Sequence, residues 1–209
     1  MMITELHFDA FIEAAHLIGK LQLLHCSSGN LSWRVDNEVM ISATGSWLPN
    51  IQKKKIAILD LESGRSLNNV KPSMEHLFHL GVMRQRKDVN VVLHFQSEYA
   101  TTISCMKEKP SNFNIISEIP YHIGKIIAIV PYFVPGTPQL ANAVVEALKD
   151  TNACLLSNHG QVVCGKDFES VMERAVFLEI ACRIMVQSGM NYNVLSSTDV
   201  ATLEQLGKK

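Results

Sequence analysis

The alternation of apolar and polar residues divides this chain into helical and extended stretches. Phe8, Phe11, Ala15, Ile18 and Leu21 fall at helical spacing and predict an amphipathic helix over about 5–24. Ser27-Ser28-Gly29-Asn30 breaks it. Short strands are predicted over 31–35 and 38–42, with a turn at Asp36-Asn37 and a close at Thr44-Gly45. A further strand over 55–60 precedes a turn at Glu62-Ser63-Gly64. Pro72-Ser73 opens a helix over about 74–86, with Ser73 as N-cap because its hydroxyl can accept an amide of the first turn.

The run Val91-Val92-Leu93-His94-Phe95-Gln96 reads as a strand. Side chains alternate across a strand, so Val91, Leu93 and Phe95 share a core face. Val92, His94 and Gln96 share the other, which grows more polar toward its end, as in strands that deliver groups to a site. A short helix near 97–106, an irregular stretch over 107–124 and a buried strand over 126–130 follow. Thr137 caps the next helix, with Pro138 at its first position, and the helix runs to about Lys149. Strands over 153–157 and 161–164 pair across His159-Gly160, where Gly160 can supply a positive φ. Asp167 caps a last helix over 168–188, with a seam of Val171, Ala175, Leu178, Cys182 and Met185 and a stop at Gly189. No internal repeat or linker interrupts the pattern, which predicts one α/β domain over 1–209 with helices around a central sheet.

Composition acts by exclusion. A chain of 209 residues buries roughly 70% of its unfolded surface, enough for a real core. With 47% hydrophobic and 19% charged residues it matches soluble globular proteins. A formal charge of −1 gives no strong field for nucleic acid or an anionic membrane. Lys53-Lys54-Lys55 reads as a solvated surface segment. No uncharged apolar run approaches the roughly 18 residues needed to cross a bilayer. Met1-Met2-Ile3-Thr4-Glu5 lacks the basic-then-apolar pattern of a secretion leader. Cys26, Cys105, Cys154, Cys164 and Cys182 are odd in number, widely spaced and form no CxxC. That argues against a disulfide framework or a structural zinc cluster and for a reducing cytoplasm.

Three ligand-type groups remain: Glu75, His94 and His159. Singly each has a bland reading. A lone histidine in a sheet is more often structural than catalytic, and a glutamate in a first helical turn is favoured by the helix dipole. Together they match catalytic zinc, which typically takes three His or carboxylate ligands and keeps one position open. His79, one helical turn after Glu75, can brace it or act as a spare ligand, although packing or solvent exposure is the plainer reading.

Six motifs then occur in order. They are Ser28-Gly29-Asn30-Leu31-Ser32, Ile41-Ser42-Ala43-Thr44-Gly45, Pro72-Ser73-Met74-Glu75, Val92-Leu93-His94-Phe95-Gln96, Pro131-Tyr132 with Pro135-Gly136-Thr137, and Ser157-Asn158-His159-Gly160. On them the chain resembles the class II aldolase/adducin family over roughly 6–200. The resemblance implies a three-layer α/β fold, a mainly antiparallel sheet flanked by helices. It implies Zn2+ or another divalent metal held by Glu75, His94 and His159, with Glu75 also the catalytic acid/base. Gln96 stands where the family has a second histidine; its neutral amide is the weaker donor, so weaker metal binding is expected. Gly29, Asn30, Thr44, Gly45 and Ser73 match phosphate-binding positions, and Met74 replaces a frequent second serine. The Ser28-Gly29-Asn30 amides are expected to form an anion nest. Tyr121 and Glu118 are the candidates near the position of the family's tyrosine proton donor.

The implied activity is cleavage of a ketose 1-phosphate, L-fuculose 1-phosphate above all, to dihydroxyacetone phosphate and lactaldehyde. A related epimerase, dehydratase or decarboxylase is the alternative, as is a non-catalytic binding member of the same fold. The implied setting is a cytoplasmic homotetramer with sites between subunits, a phosphorylated sugar as ligand, and neither nucleic acid nor membrane as partner.

Overall fold

The computed structural model describes residues 3–207. Met1, Met2, Lys208 and Lys209, which the readings of the N-terminus and of a domain over 1–209 include, lie outside them. Seven strands form one sheet: β1 (Gly29–Val35), β2 (Glu38–Ser42), β3 (Ile56–Asp60), β4 (Val91–Phe95), β5 (Ala128–Val130), β6 (Ala153–Leu156) and β7 (Gly160–Gly165). Their order is β3-β2-β1-β4-β7-β6-β5. Every pairing is antiparallel except β5 with β6. The helices are α1 (Glu5–Lys20), α2 (His76–Gln85), α3 (Glu98–Cys105), α4 (Pro138–Ala147), α5 (Phe168–Gln187) and α6 (Ser197–Gly207).

The sheet separates two apolar layers. On one face α1, α3 and α5 pack Phe11, Ile18, Ile103 and Leu178 against Leu31, Leu93, Phe95 and Val163. On the other, α2 and α4 pack Phe78, Val82, Leu140 and Val144 against Ile41, Val92, Val162 and Cys164. A buried side chain of this size contributes about 1.5–3 kcal/mol, so each face carries a core of its own. This corrects the expectation of one apolar and one polar face on β4. All five residues of β4 are buried, because α2 covers the face that carries Val92 and His94. Gln96 lies just beyond the strand rather than on it.

Local signals held where the partner is local. Thr137 accepts the Leu140 amide at 3.3 Å, and Asp167 forms a reciprocal capping pair with Ser170. Other boundaries moved. α1 ends at Lys20, before Leu21. Gly29 and Asn30 belong to β1 rather than to a break. β5 shrinks to three residues at the sheet edge, leaving Ile126 and Ile129 exposed instead of buried. Ser73 does not cap α2; Glu75 takes that position. Ser73 is held by β2 instead, its amide donating to the Ser42 carbonyl at 3.0 Å, while its hydroxyl accepts the Glu75 amide at 3.3 Å. The positive φ in the β6–β7 turn falls on Asn158 (56°), not on Gly160. α6 had no counterpart in the sequence pattern, since Val200 is its one buried residue among those described. The lysine run forms a short exposed turn over Lys53–Lys55, and Lys53 pairs with Glu5 on α1. The five cysteines are free thiols, three of them buried. Among the described residues no helix is long and apolar enough to cross a membrane.

Candidate active site

The register of β1, β4 and β7 builds the site. Asn30 lies opposite His94, which lies opposite Val162, so Asn30 and His94 share the face covered by α2. Glu75 enters from the N-terminus of α2, and His159 from the turn before β7. Gly160 permits the approach of the elements. A Cβ there would sit 2.6 Å from the Phe95 carbonyl oxygen, 2.8 Å from Gln96 Cγ and 3.1 Å from His94 Cε1. Gly29 plays the same part on β1, where a Cβ would sit 2.3 Å from Leu24 Cδ2.

One ligand atom from each of Glu75, His94 and His159 lies within 4.8 Å of the others. Glu75 Oε2 is 3.5 Å from His94 Nε2, and Glu75 Oε1 is 3.6 Å from His159 Nε2. His94 donates from Nδ1 to the Gln161 carbonyl at 2.9 Å, which fixes its ring and turns Nε2 toward the carboxylate. Burial, and then the neighbouring His94, push His159 down to about 4, against a smaller upward pull from Glu75. Its ring is therefore neutral near pH 7, the form that ligates metal. Glu75 Oε1 is buried without a hydrogen-bond partner. An orphaned carboxylate oxygen beside two imidazoles is costly unless a cation satisfies it. The donor set thus fits a divalent cation.

A cavity of about 250 Å³ joins this cluster to the candidate phosphate positions. Gly29, Asn30, Thr44, Gly45 and Ser73 all line it, as do Gln96 and Met74. Gly45 has φ 68° and forms its turn as a glycine must. One detail departs from the expected anion nest: the Ser28 amide donates to the His25 carbonyl at 3.0 Å. The side chain of Asn30 is committed inward, its Nδ2 donating to Glu75 Oε2 at 2.9 Å. Neither Tyr121 nor Glu118 lines the cavity. Tyr121 sits in a wide helical turn over Ile119–Ile123, beside His122.

Two supporting residues escaped the sequence reading. Gln161 accepts the Ser97 amide through its side chain while its main chain holds His94. Ser32 bonds His79, which is wholly buried rather than exposed. The signal for Ser32 was its i+2 relation to Asn30 on one strand face.

A mainly antiparallel sheet between helix layers, with a Glu-His-His cluster at the ends of its elements, is the frame of class II aldolases. Residues 9–186 match the Class II Aldolase and Adducin N-terminal domain, and the chain belongs to that family. It is 31% identical over 203 residues to a 3-oxo-tetronate 4-phosphate decarboxylase of Haemophilus influenzae, covering 95% of this chain and 93% of that one. It is 33% identical over 172 residues to an L-fuculose phosphate aldolase of Methanococcus maripaludis, covering 82% and 92%. A solved L-fuculose 1-phosphate aldolase superposes with a TM-score of 0.91 over 100% of this chain and 99% of its own, at 22% identity, which speaks to the fold alone.

Proposed function

We propose that this chain is a metal-dependent decarboxylase of a phosphorylated 3-oxo sugar acid of the tetronate type. The match to such an enzyme over 95% of the chain carries this reading. A cation held by Glu75, His94 and His159 would act as a Lewis acid on the oxygens flanking the breaking carbon–carbon bond. Zinc is the first choice of metal for a His/carboxylate set. The hydroxyls of Thr44 and Ser73 and the Gly45 turn line the other end of the cavity and suit a phosphate.

The chemistry balances with few groups. In a 3-oxo-tetronate 4-phosphate the C1–C2 bond breaks, carbon dioxide leaves, and the electron pair stays on the C2–C3 enediolate. One proton, delivered by Glu75 after uptake from solvent, then converts C2 to a hydroxymethyl group. The product is dihydroxyacetone phosphate. The departing carboxylate needs no base, because it has already lost its proton.

The 33% identity to the Methanococcus maripaludis enzyme favours a second reading, retro-aldol cleavage of L-fuculose 1-phosphate to dihydroxyacetone phosphate and lactaldehyde. Both reactions pass through the same enediolate and differ in the leaving group. The retro-aldol reaction also needs a proton taken from the substrate hydroxyl, hence a second proton-handling step. Within one chain Glu75 is the carboxylate that lines the cavity, and the candidates Tyr121 and Glu118 do not. A second group would have to come from a neighbouring subunit of the proposed homotetramer.

The test is a coupled assay of dihydroxyacetone phosphate with zinc added, offering 3-oxo-tetronate 4-phosphate and L-fuculose 1-phosphate in parallel. The decarboxylase reading expects the first to be preferred by at least about tenfold in kcat/KM, roughly 1.4 kcal/mol of transition-state binding. Preference for the second substrate would replace it with the aldolase reading.

A further inference from the structure

A buried chain of hydrogen bonds ends on Glu75. Ser32 Oγ lies 2.7 Å from His79 Nδ1, His79 Nε2 bonds Asn30 Oδ1, and Asn30 Nδ2 lies 2.9 Å from Glu75 Oε2. Ser32 and His79 are wholly buried, and Asn30 and Glu75 are each 6% exposed. The donors can be assigned from the end. An ionised carboxylate only accepts, so the Asn30 atom facing Glu75 must be its NH2. That places Asn30 Oδ1 toward His79, whose Nε2 must then carry the proton. In the neutral ring Nδ1 is an acceptor, so the Ser32 hydroxyl donates to it. Every bond points the same way, and bonds in such a chain polarise one another.

The two oxygens of Glu75 are thereby made unequal. Oε2 receives a fixed donor, while Oε1, facing His159 at 3.6 Å, has none. Without His79 the Asn30 amide could rotate by half a turn and present its oxygen to the carboxylate. We propose that His79, acting through Asn30, is the positioning residue that holds Glu75 with Oε1 free toward the cluster of Glu75, His94 and His159. The Asn30 side chain thereby serves the carboxylate. This rests on Glu75 being a ligand and proton carrier of the site.

The experiment compares His79→Leu, His79→Gln and Ser32→Ala with the unaltered protein, using cobalt(II) as the probe. Glutamine can present an NH2 near the position of imidazole Nε2; leucine cannot. Cobalt affinity and its visible absorption are read by titration, and kcat and KM by the coupled assay. His79→Leu is expected to weaken cobalt binding about 10–100-fold and to alter its spectrum, the usual cost of removing an outer-shell partner. Its kcat is expected to fall while KM stays close to the unaltered value. His79→Gln is expected to recover most of both losses. Should His79→Leu fail to fold, Ser32→Ala decides: weakened cobalt binding with an altered spectrum supports the proposal, and unaltered behaviour overturns it. A folded His79→Leu with unchanged cobalt spectrum, affinity and kcat also overturns it. If the unaltered protein turns over neither substrate while the cobalt pattern holds, the functional reading falls and this inference stands.

Discussion

His94 is tied to Gln161 across two strands: its Nδ1 donates to the Gln161 carbonyl at 2.9 Å, so its other nitrogen can face only the Glu75 carboxylate. The ring is set by main-chain geometry rather than by the metal. His94→Ala should therefore abolish stoichiometric zinc, measured by elemental analysis after dialysis. Gln96→His should tighten zinc by about tenfold or more, because imidazole is the better donor and Gln96 already lines the cavity. Full zinc retention by His94→Ala would refute the ligand set.

Glu75→Gln should stop proton traffic while leaving the phosphate end intact. Offered dihydroxyacetone phosphate in deuterated water, the unaltered enzyme should exchange one hydroxymethyl proton, a step shared by both candidate reactions. The variant should exchange about 10²–10⁴-fold more slowly, the range of general acid–base contributions. Proton NMR of the substrate reads this directly.

Gly160→Ala should damage the site without touching a ligand. The new methyl meets the Phe95 carbonyl at 2.6 Å and the His94 ring at 3.1 Å. Overpacking of this kind costs about 1–3 kcal/mol, visible in urea unfolding, and should lower zinc affinity in the same variant. A silent Gly160→Ala would mean that β4 and β7 can separate freely.

Stability should depend on pH through His79. Burial, with His94 and His76 adding, holds His79 well below its ordinary range. Below about 6.5 the unfolded chain therefore binds a proton at this residue that the folded chain refuses. Unfolding free energy should rise with pH up to about 6.5 and then lose this dependence. In His79→Gln the slope below that point should be shallower by one proton, about 1.4 kcal/mol per pH unit. Urea titrations of the metal-free protein between pH 5 and 7 would measure it.

Glu179 should prove a structural keystone of α3. Its carboxylate accepts the Ser97 hydroxyl at 2.6 Å and the Tyr99 and Ala100 amides at 2.9 Å each. Ser97 in turn bonds the Gln161 side chain. Three charge-assisted bonds predict a loss of several kcal/mol, about 1.5–3 for each, in Glu179→Ala by urea unfolding.

What the sequence revealed follows the range of each interaction. Thr137 and Asp167 were recognisable as caps because their partners, Leu140 and Ser170, lie three residues away. Ser73 was misread because its partner Ser42 belongs to another element, which leaves Glu75 to begin α2. Gly160 was rightly noticed, yet its reason is crowding by Phe95 and His94 rather than a positive φ. The clustering of Glu75, His94 and His159 was legible because family motifs mark each member separately. His79 stood out as a brace candidate one turn after Glu75, but its route through Asn30 was hidden, since its partners Ser32 and Asn30 are 47 and 49 residues away. No periodicity links residues that meet only where a helix packs on a strand.

The strand order places β4 fourth of seven, with both faces covered. Its amides should exchange with solvent only when the whole molecule opens, so His94 belongs to the slowest-exchanging part of the protein. Glu75 stands instead at the terminus of α2, where its carboxylate is held by the side chain of Asn30. The two groups thus owe their places to different parts of the molecule: His94 keeps its position as long as the sheet stands, whereas Glu75 can be loosened by changing one side chain.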